Sequence, residues 1–523
     1  MTRHAHARLK RMPQHASGAE ATSPVAEPNP ASPAAISGGG ARVGVARGAL
    51  HLVAGQTTSM VLGVVVTAIV GRRLGASGFG ELYLVTSIAT FALYFAEWGQ
   101  MGFVTRTVAR EPPVTGHLLG SAVAFRLGAV AVLLPLLAVL TRLIGYAPRV
   151  SGLLSLLLVA SLPLCFTQVL SIIFRARDRM DLDALCNVCG SLIGAAVSVT
   201  AVLLVPRVEA VLVATGITGL AMLAVYAAVL RRFLPTRPRV SFAGLRELLV
   251  GGFPFLLLAL AIAVQPYLDA TLMSRLAPSN ALGWYGASAR MVGALVFPAG
   301  ILGTSLLPTF SRLSVGEPAR FQHALRSTLR PVLAMGSLAA CGTWLLAEIP
   351  VRLLYGRAAF APTIQVLRAF APFLGLVYIN MVLGYALLAS GRQRGLTLAK
   401  LGAVLICVAL EVHLIPAFQL REGNGGIGVA VSLGAAELLL FFAALFLLGR
   451  RIVNRLLAGD FARVLLTCGS TVAVGLALAA WSPFVRIPAA LLTFAALALV
   501  CRLVRPEDAR LFRDALRSRL RSP

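Results

Sequence analysis

The sequence predicts an all-α, polytopic membrane protein, with about 14 transmembrane helices in two pseudo-symmetric six-helix lobes plus two C-terminal helices. Three observations carry that prediction. Hydrophobic residues make up 58% of the 523 positions and charged residues only 13%, a composition outside the range of soluble domains. Apolar runs of roughly 20 residues, the length that crosses about 30 Å of hydrocarbon, recur between short Arg-rich or Gly/Pro-rich links. The basic residues alternate from link to link: 34 of the 47 Lys and Arg fall in the two tails and the even-numbered links, 11 in the odd-numbered links, and two inside spans. By the positive-inside rule both termini are then cytoplasmic and the odd-numbered links are outer. The same distribution, rather than a basic groove with interleaved aromatics, argues against nucleic acid as a partner despite the net charge of +27.

Residues 1–46, rich in Ala, Pro, Ser and Gly, read as a disordered cytoplasmic tail without a cleavable signal peptide. The N-lobe, 47–230, holds spans at 47–70, 79–103, 116–140, 151–174, 183–205 and 208–230, the first two joined by the outer turn GRRLGASGFGEL. A cytoplasmic linker, 231–247, is interrupted by Pro235 and Pro238, after which Ser241 is placed to cap a short amphipathic helix on the inner surface. The C-lobe, 248–449, opens with a hairpin of two spans around 265–312 and continues through spans at 328–349, 367–389, 396–416 and 427–449. Residues 450–504 supply spans 13 and 14, and 505–523 form a basic cytoplasmic tail suited to anionic membrane lipid. A faint repeat, GRRLGASGFGEL against SRLAPSNALGWY, relates the two lobes at a spacing of about 200 residues, as in many transporters.

Ionisable groups at membrane depth cost at least about 2.5 to 3.5 kcal/mol each and normally face a bundle interior or a wet cavity. Arg126 and Glu437 each lie about ten residues into a span, or some 15 Å, as does Arg290 in span 8. Gly286, Ala287, Gly293 and Ala294 surround Arg290 at helical spacing, which leaves either room for a ligand or close helix packing with a structural pair to Asp269. An arginine fork suits pyrophosphate because it donates two parallel charge-assisted hydrogen bonds. Asp269, near the outer end of span 7, Glu97, near the cytoplasmic end of span 2, and Glu437 are the candidate charge partners or coupling acids. Glu348, Glu411, His51 and His413 read as solvated or hydrogen-bonded structural groups.

Neither a metal nor a cofactor is expected. Cys186 and Cys189 form a CxxC inside a span without a second ligand pair, so they read as packing. Gly423, Gly425 and Gly428 spell GxGxxG, but between two membrane helices rather than after a strand, so they read as a turn.

The turn GRRLGASGFGELY, Asp269 followed by LGWYGASARM and LLPTFSRL, the outer segment LLYGRAAFAPTIQVLRAF and NGGIGVAVS before span 12 occur in an order that resembles the Wzx-type oligosaccharide flippases of the multidrug/oligosaccharidyl-lipid/polysaccharide exporter superfamily. That resemblance covers 47–504. It implies two lobes around a cationic cavity that moves an undecaprenyl-pyrophosphate-linked oligosaccharide across the bacterial cytoplasmic membrane by alternating access, with Arg290 and Arg126 as substrate-binding residues. It also implies glycosyltransferases and a polymerase of one pathway as partners. YGASARMVGALVFP resembles lipid II flippases as well, although span 1 lacks their interior arginine. A multidrug antiporter is disfavoured because span 1 has no acid. A membrane glycosyltransferase or polymerase would need a larger outer loop bearing catalytic groups than 350–366 provides.

Overall fold

A computed structural model of the chain describes residues 38–111, 114–177, 179–233, 238–356, 358–449, 455–478 and 480–501. It divides into two compact units, Met1–Gly48 and Ala49–Pro523. Of the first, residues 38–48 are described and their backbone is helical. The helix therefore starts earlier than the tail expected to end at residue 46. The rest of that tail, 234–237 of the linker and the basic tail 505–523 lie outside the described residues. The membrane architecture is in the second unit.

Among the described residues every regular element is a helix, and eleven helical segments are long and apolar enough to cross a membrane. Fourteen spans were expected; the two numbers part where helices run through turns or break inside spans. Helix α1 (Gly38–Glu97) continues through the expected outer turn, bending at Gly75, whose φ of 70° and ψ of 175° an L side chain would strain. It ends at Trp98 and Gly99, both with positive φ, so the expected second span is interrupted before α2 (Gln100–Arg110). Helices α3 (Thr115–Leu143), α4 (Pro148–Ala176), α5 (Met180–Leu204) and α6 (Val208–Phe233) follow, with α4 packed against α2, α3, α5 and α6.

Ser241 does cap a helix, accepting from the Gly244 amide at 3.0 Å, but that helix is not a short surface one. It is α7 (Phe242–Ala263), which runs from the linker straight into the apolar sequence of span 7. Pro266 has no amide proton to continue the ladder and its ring crowds the preceding turn, so the chain breaks at Val264 and restarts as α8 (Gln265–Leu276). The break has a consequence for packing. α7 lies against α2 and α3, where Gly99 and Gly252 approach so closely that a Cβ on Gly99 would meet the Gly252 carbonyl at 2.3 Å.

α8 joins the later helices: α9 (Ser279–Gly316), α10 (Pro318–Leu346), α11 (Glu348–Tyr355), α12 (Thr363–Ala369), α13 (Ala371–Ala389), α14 (Gln393–Glu422) and α15 (Gly426–Leu448). α16 (Arg455–Ala477) and α17 (Pro483–Val500) pack on each other and on α10. Two of the GxGxxG glycines form the predicted turn, Gly423, at φ 67°, ending α14 and Gly425 preceding α15, while Gly428 lies inside α15, which starts at Gly426. Large apolar side chains such as Leu143, Leu204, Leu405, Phe446 and Leu465 point away from the bundle, the surface a lipid solvent requires.

The two helix groups meet at the end where the odd-numbered links lie. Phe79 of α1 stacks edge-on against Tyr355 and Phe360, each at 6.0 Å, within a buried cluster that also takes Leu282, Tyr285 and Val366. Gly80 and Gly283 allow the helices to touch there: a Cβ on Gly80 would come within 1.9 Å of the Ser279 carbonyl, and one on Gly283 within 2.0 Å of that of Ala76.

Candidate functional site

A cavity of about 650 Å³ lies between α1 and the helices α8, α9, α13 and α15. Its wall is largely aromatic and apolar, from Tyr83, Tyr267, Tyr285, Phe370, Phe373 and Val377, and its charged groups are Arg290, Asp269 and Glu437. Arg290 is exposed to the cavity, and among the described residues it makes neither a hydrogen bond nor an ion pair. The small residues of its face explain its freedom. Gly293 has open space beside it, while Gly286 packs so closely on Tyr83 that a Cβ there would meet the ring at 2.7 Å.

Asp269 does not pair with Arg290, and although it stands near the expected outer end of span 7 it is buried. It is only 2% exposed, accepting from the Gln265 amide at 2.9 Å and from the Tyr285 hydroxyl at 2.8 Å. Its carboxyl also lies against that of Glu411 of α14, which is 0% exposed and accepts from the Cys407 thiol at 3.3 Å. Two carboxylates brought together in a buried site repel one another. Glu437, ten residues into the last span of the group, accepts from Asn380 at 2.6 Å at the cavity wall.

Arg126 and Glu97 lie elsewhere. Arg126 is 1% exposed between α2, α3 and α4, where Nε donates to Gln100 at 2.8 Å and Nη1 to Gln168 at 3.1 Å and to the Cys165 carbonyl. Glu97 closes α1, half-buried and near enough to act on the Arg126 charge. The structure therefore gathers Arg290, Asp269 and Glu437 at one cavity and leaves the other two in a packed helix junction. The sequence reading of Glu411 as a solvated or hydrogen-bonded structural group did not place it beside Asp269; its signal was weak, one acid among apolar residues with Cys407 four positions before it.

A family model described as "Polysaccharide biosynthesis protein" matches residues 45–314, a span that includes Arg290 and Asp269. The chain belongs to that family. No curated protein matches it. Among solved structures, it is similar to a lipid II flippase MurJ in an inward closed conformation, with TM-score 0.67, 15% identity, and coverage of 86% of this chain and 98% of that one. It is also similar to an inward-facing multidrug resistance MATE family transporter (TM-score 0.63, 16% identity, 76% and 94% covered). A third is a MOP superfamily transporter from Pyrococcus furiosus described as having a binding pocket of reversed polarity (TM-score 0.53, 16% identity, 78% and 95% covered). At these identities the likeness is one of fold. This polysaccharide biosynthesis family member is thus a multi-pass membrane protein with the fold of those transporters.

In this member the seam between the helix groups is held by arginines donating to carbonyls at helix ends. Arg72 donates to Leu354 at 2.6 Å and to Leu353, and Arg275 to Ile144 at 2.5 Å and Gly145 at 3.3 Å, with its guanidinium 3.8 Å from the centre of the Tyr146 ring. Ser77 and Ser279 hydrogen-bond across the same seam at 2.8 Å. Cysteines introduced as Ser77→Cys and Ser279→Cys are expected to crosslink readily under a mild oxidant, and adding Arg275→Ala to lower the yield by freeing the seam. An unchanged yield would assign the seam to apolar packing alone.

Proposed function

We propose that the protein flips an undecaprenyl-pyrophosphate-linked oligosaccharide across the bacterial cytoplasmic membrane by alternating access. The observation that carries this reading is Arg290: a guanidinium that makes neither a hydrogen bond nor an ion pair among the described residues, exposed in an apolar and aromatic cavity between two helix groups. A free arginine in such surroundings has a high affinity for a phosphate oxygen, and the aromatic walls offer faces for sugar rings and lipid isoprenes. Family membership and the charge alternation of the links support the same substrate class and the same membrane.

In this proposal the lobes are 47–230 and 248–449, joined by 231–247, with 450–504 trailing and both termini cytoplasmic. The seam then lies on the outer side, and the conformation is one closed to the outside. Rocking of the lobes parts the Arg72 and Arg275 contacts and releases the head group outward while the polyprenyl tail stays in the bilayer. Arg290 is assigned the pyrophosphate, and Arg126 the cohesion of α2, α3 and α4. Glycosyltransferases and a polymerase of the same pathway act before and after this step.

The Asp269–Glu411 carboxyl pair is assigned proton coupling, with Glu437 as the second acid of the cavity and Glu97 as a charge partner of Arg126. Flux of the wild type is expected to respond to an imposed pH gradient, and that of Asp269→Asn to lose the response while substrate affinity is kept. A gradient response surviving in Asp269→Asn removes the pair from coupling. The flippase reading itself is tested in proteoliposomes holding the purified protein and a polyprenyl-pyrophosphate-linked oligosaccharide on one leaflet. Protein-dependent appearance of the glycan on the other leaflet is expected; a rate equal to that of empty liposomes rejects it.

A further inference from the structure

A second chamber, of about 290 Å³, also has Arg290 in its wall. It lies within the first helix group, between the two arms of α1 and helices α5 and α6, and shares Tyr83, Thr86 and Arg290 with the larger cavity. Among the described residues its polar wall carries five hydroxyls, the phenol of Tyr83 and the aliphatic hydroxyls of Thr67, Thr86, Ser198 and Thr215, set among apolar side chains, with Arg290 as the charged residue lining it.

The hydrogen bonding of those hydroxyls decides what the chamber can hold. Thr67 donates to the Gly63 carbonyl at 2.6 Å, Thr86 to Leu82 at 2.8 Å and Tyr83 at 3.0 Å, and Thr215 to Val211 at 3.0 Å. These three protons are committed to the helix backbone, so the threonine oxygens present only lone pairs to the chamber. Ser198 has no partner among the described residues and keeps its proton. A wall of acceptors attracts ligand groups that donate and repels phosphate or carboxylate oxygens. Mixed with apolar side chains, it matches a sugar ring, which has hydroxyls at its edge and C–H groups on its faces. The volume is at the lower limit of small-ligand pockets, roughly 300 Å³, so it admits one or two rings and not a long glycan.

We infer that this chamber is a recognition subsite for the lipid-proximal sugar, with Arg290 at its mouth binding the pyrophosphate to which that sugar is attached. The inference rests on the flippase reading and deepens it. Anion and sugar are read by different groups: the charge by Arg290 and the hydroxyl pattern of the first ring by Thr67, Thr86, Ser198 and Thr215. The rest of the oligosaccharide extends into the larger cavity, where the aromatic side chains tolerate varied rings. Specificity is thereby concentrated on the first sugar.

The test compares dissociation constants of the full-length protein in nanodiscs for two probes, a polyprenyl pyrophosphate and the same lipid bearing one hexose. The triple variant Thr67→Val, Ser198→Ala, Thr215→Val keeps the side-chain shapes and removes the hydroxyls. It is expected to bind the hexosyl lipid about tenfold more weakly, from the loss of several neutral hydrogen bonds, and the sugar-free lipid as the wild type does. Arg290→Ala is expected to weaken both. A triple variant that binds both lipids normally, or loses both in parallel while melting at the wild-type temperature, overturns the subsite. Wild-type protein that binds neither lipid overturns the flippase reading and the subsite with it. If the triple variant does not purify folded, Ser198→Ala alone, at a site without internal hydrogen bonds, is measured in the same way; equal affinity of that variant and the wild type for the hexosyl lipid then counts against the subsite.

Discussion

Replacing Arg290 by alanine is expected to abolish glycan export in cells lacking their own copy, with the variant protein at its normal level in the membrane. The reason is the separation of its two possible roles. A side chain that makes neither hydrogen bond nor ion pair among the described residues leaves none of them without a partner when removed, so stability changes little. Binding changes a great deal. A charge-assisted hydrogen bond is worth about 1.5 to 3 kcal/mol, and two from one guanidinium to a pyrophosphate correspond to a loss of roughly a hundredfold or more in affinity. Arg290→Lys should restore part of the activity, because it returns the charge without the bidentate fork. Export at the wild-type level by Arg290→Ala, measured as surface glycan per molecule of protein, is the outcome that removes this residue from the site.

Arg126→Ala is expected to fail for the opposite reason, through folding. The side chain is 1% exposed and donates to Gln100 of α2 and to Gln168 and the Cys165 carbonyl of α4. Its removal leaves Gln100 and the Cys165 carbonyl buried without that donor, at a cost of about 1 to 3 kcal/mol for each that cannot turn to another partner, together with a cavity. A drop of several degrees in melting temperature and a reduced level in the membrane are expected, while each surviving molecule exports normally. Full stability with no export would place Arg126 in the transport path instead.

These two arginines show how far the sequence could be read. Each was recognisable as a membrane-depth cation from its place about ten residues into an apolar span. Depth, however, is a property of one helix, and the distinction between cavity and core is made by its neighbours. Gly293, on the same helix as Arg290, announced the space beside it; Gln100 and Gln168 come to Arg126 from other helices, and nothing in the span itself announced them. Asp269 misled for a related reason. It stands near an expected span end as a candidate partner of Arg290, but Pro266 breaks the helix just before it, and Tyr285 and Glu411 close over it from α9 and α14. The all-helical membrane fold and the turn at Gly75 were legible because composition, periodicity and glycine conformation are local; the Asp269–Glu411 contact was not, because it joins residues far apart in the chain.

The central claim, inner-to-outer transfer of a lipid-linked glycan, is tested most directly by depleting the protein in living cells and asking on which leaflet the undecaprenyl-pyrophosphate-linked oligosaccharide collects. The account predicts accumulation on the cytoplasmic leaflet, inaccessible to a membrane-impermeant glycan-degrading enzyme added from outside, with relief by the wild-type gene and none by Arg290→Ala. Accumulation on the outer leaflet, or no accumulation at all, would contradict it.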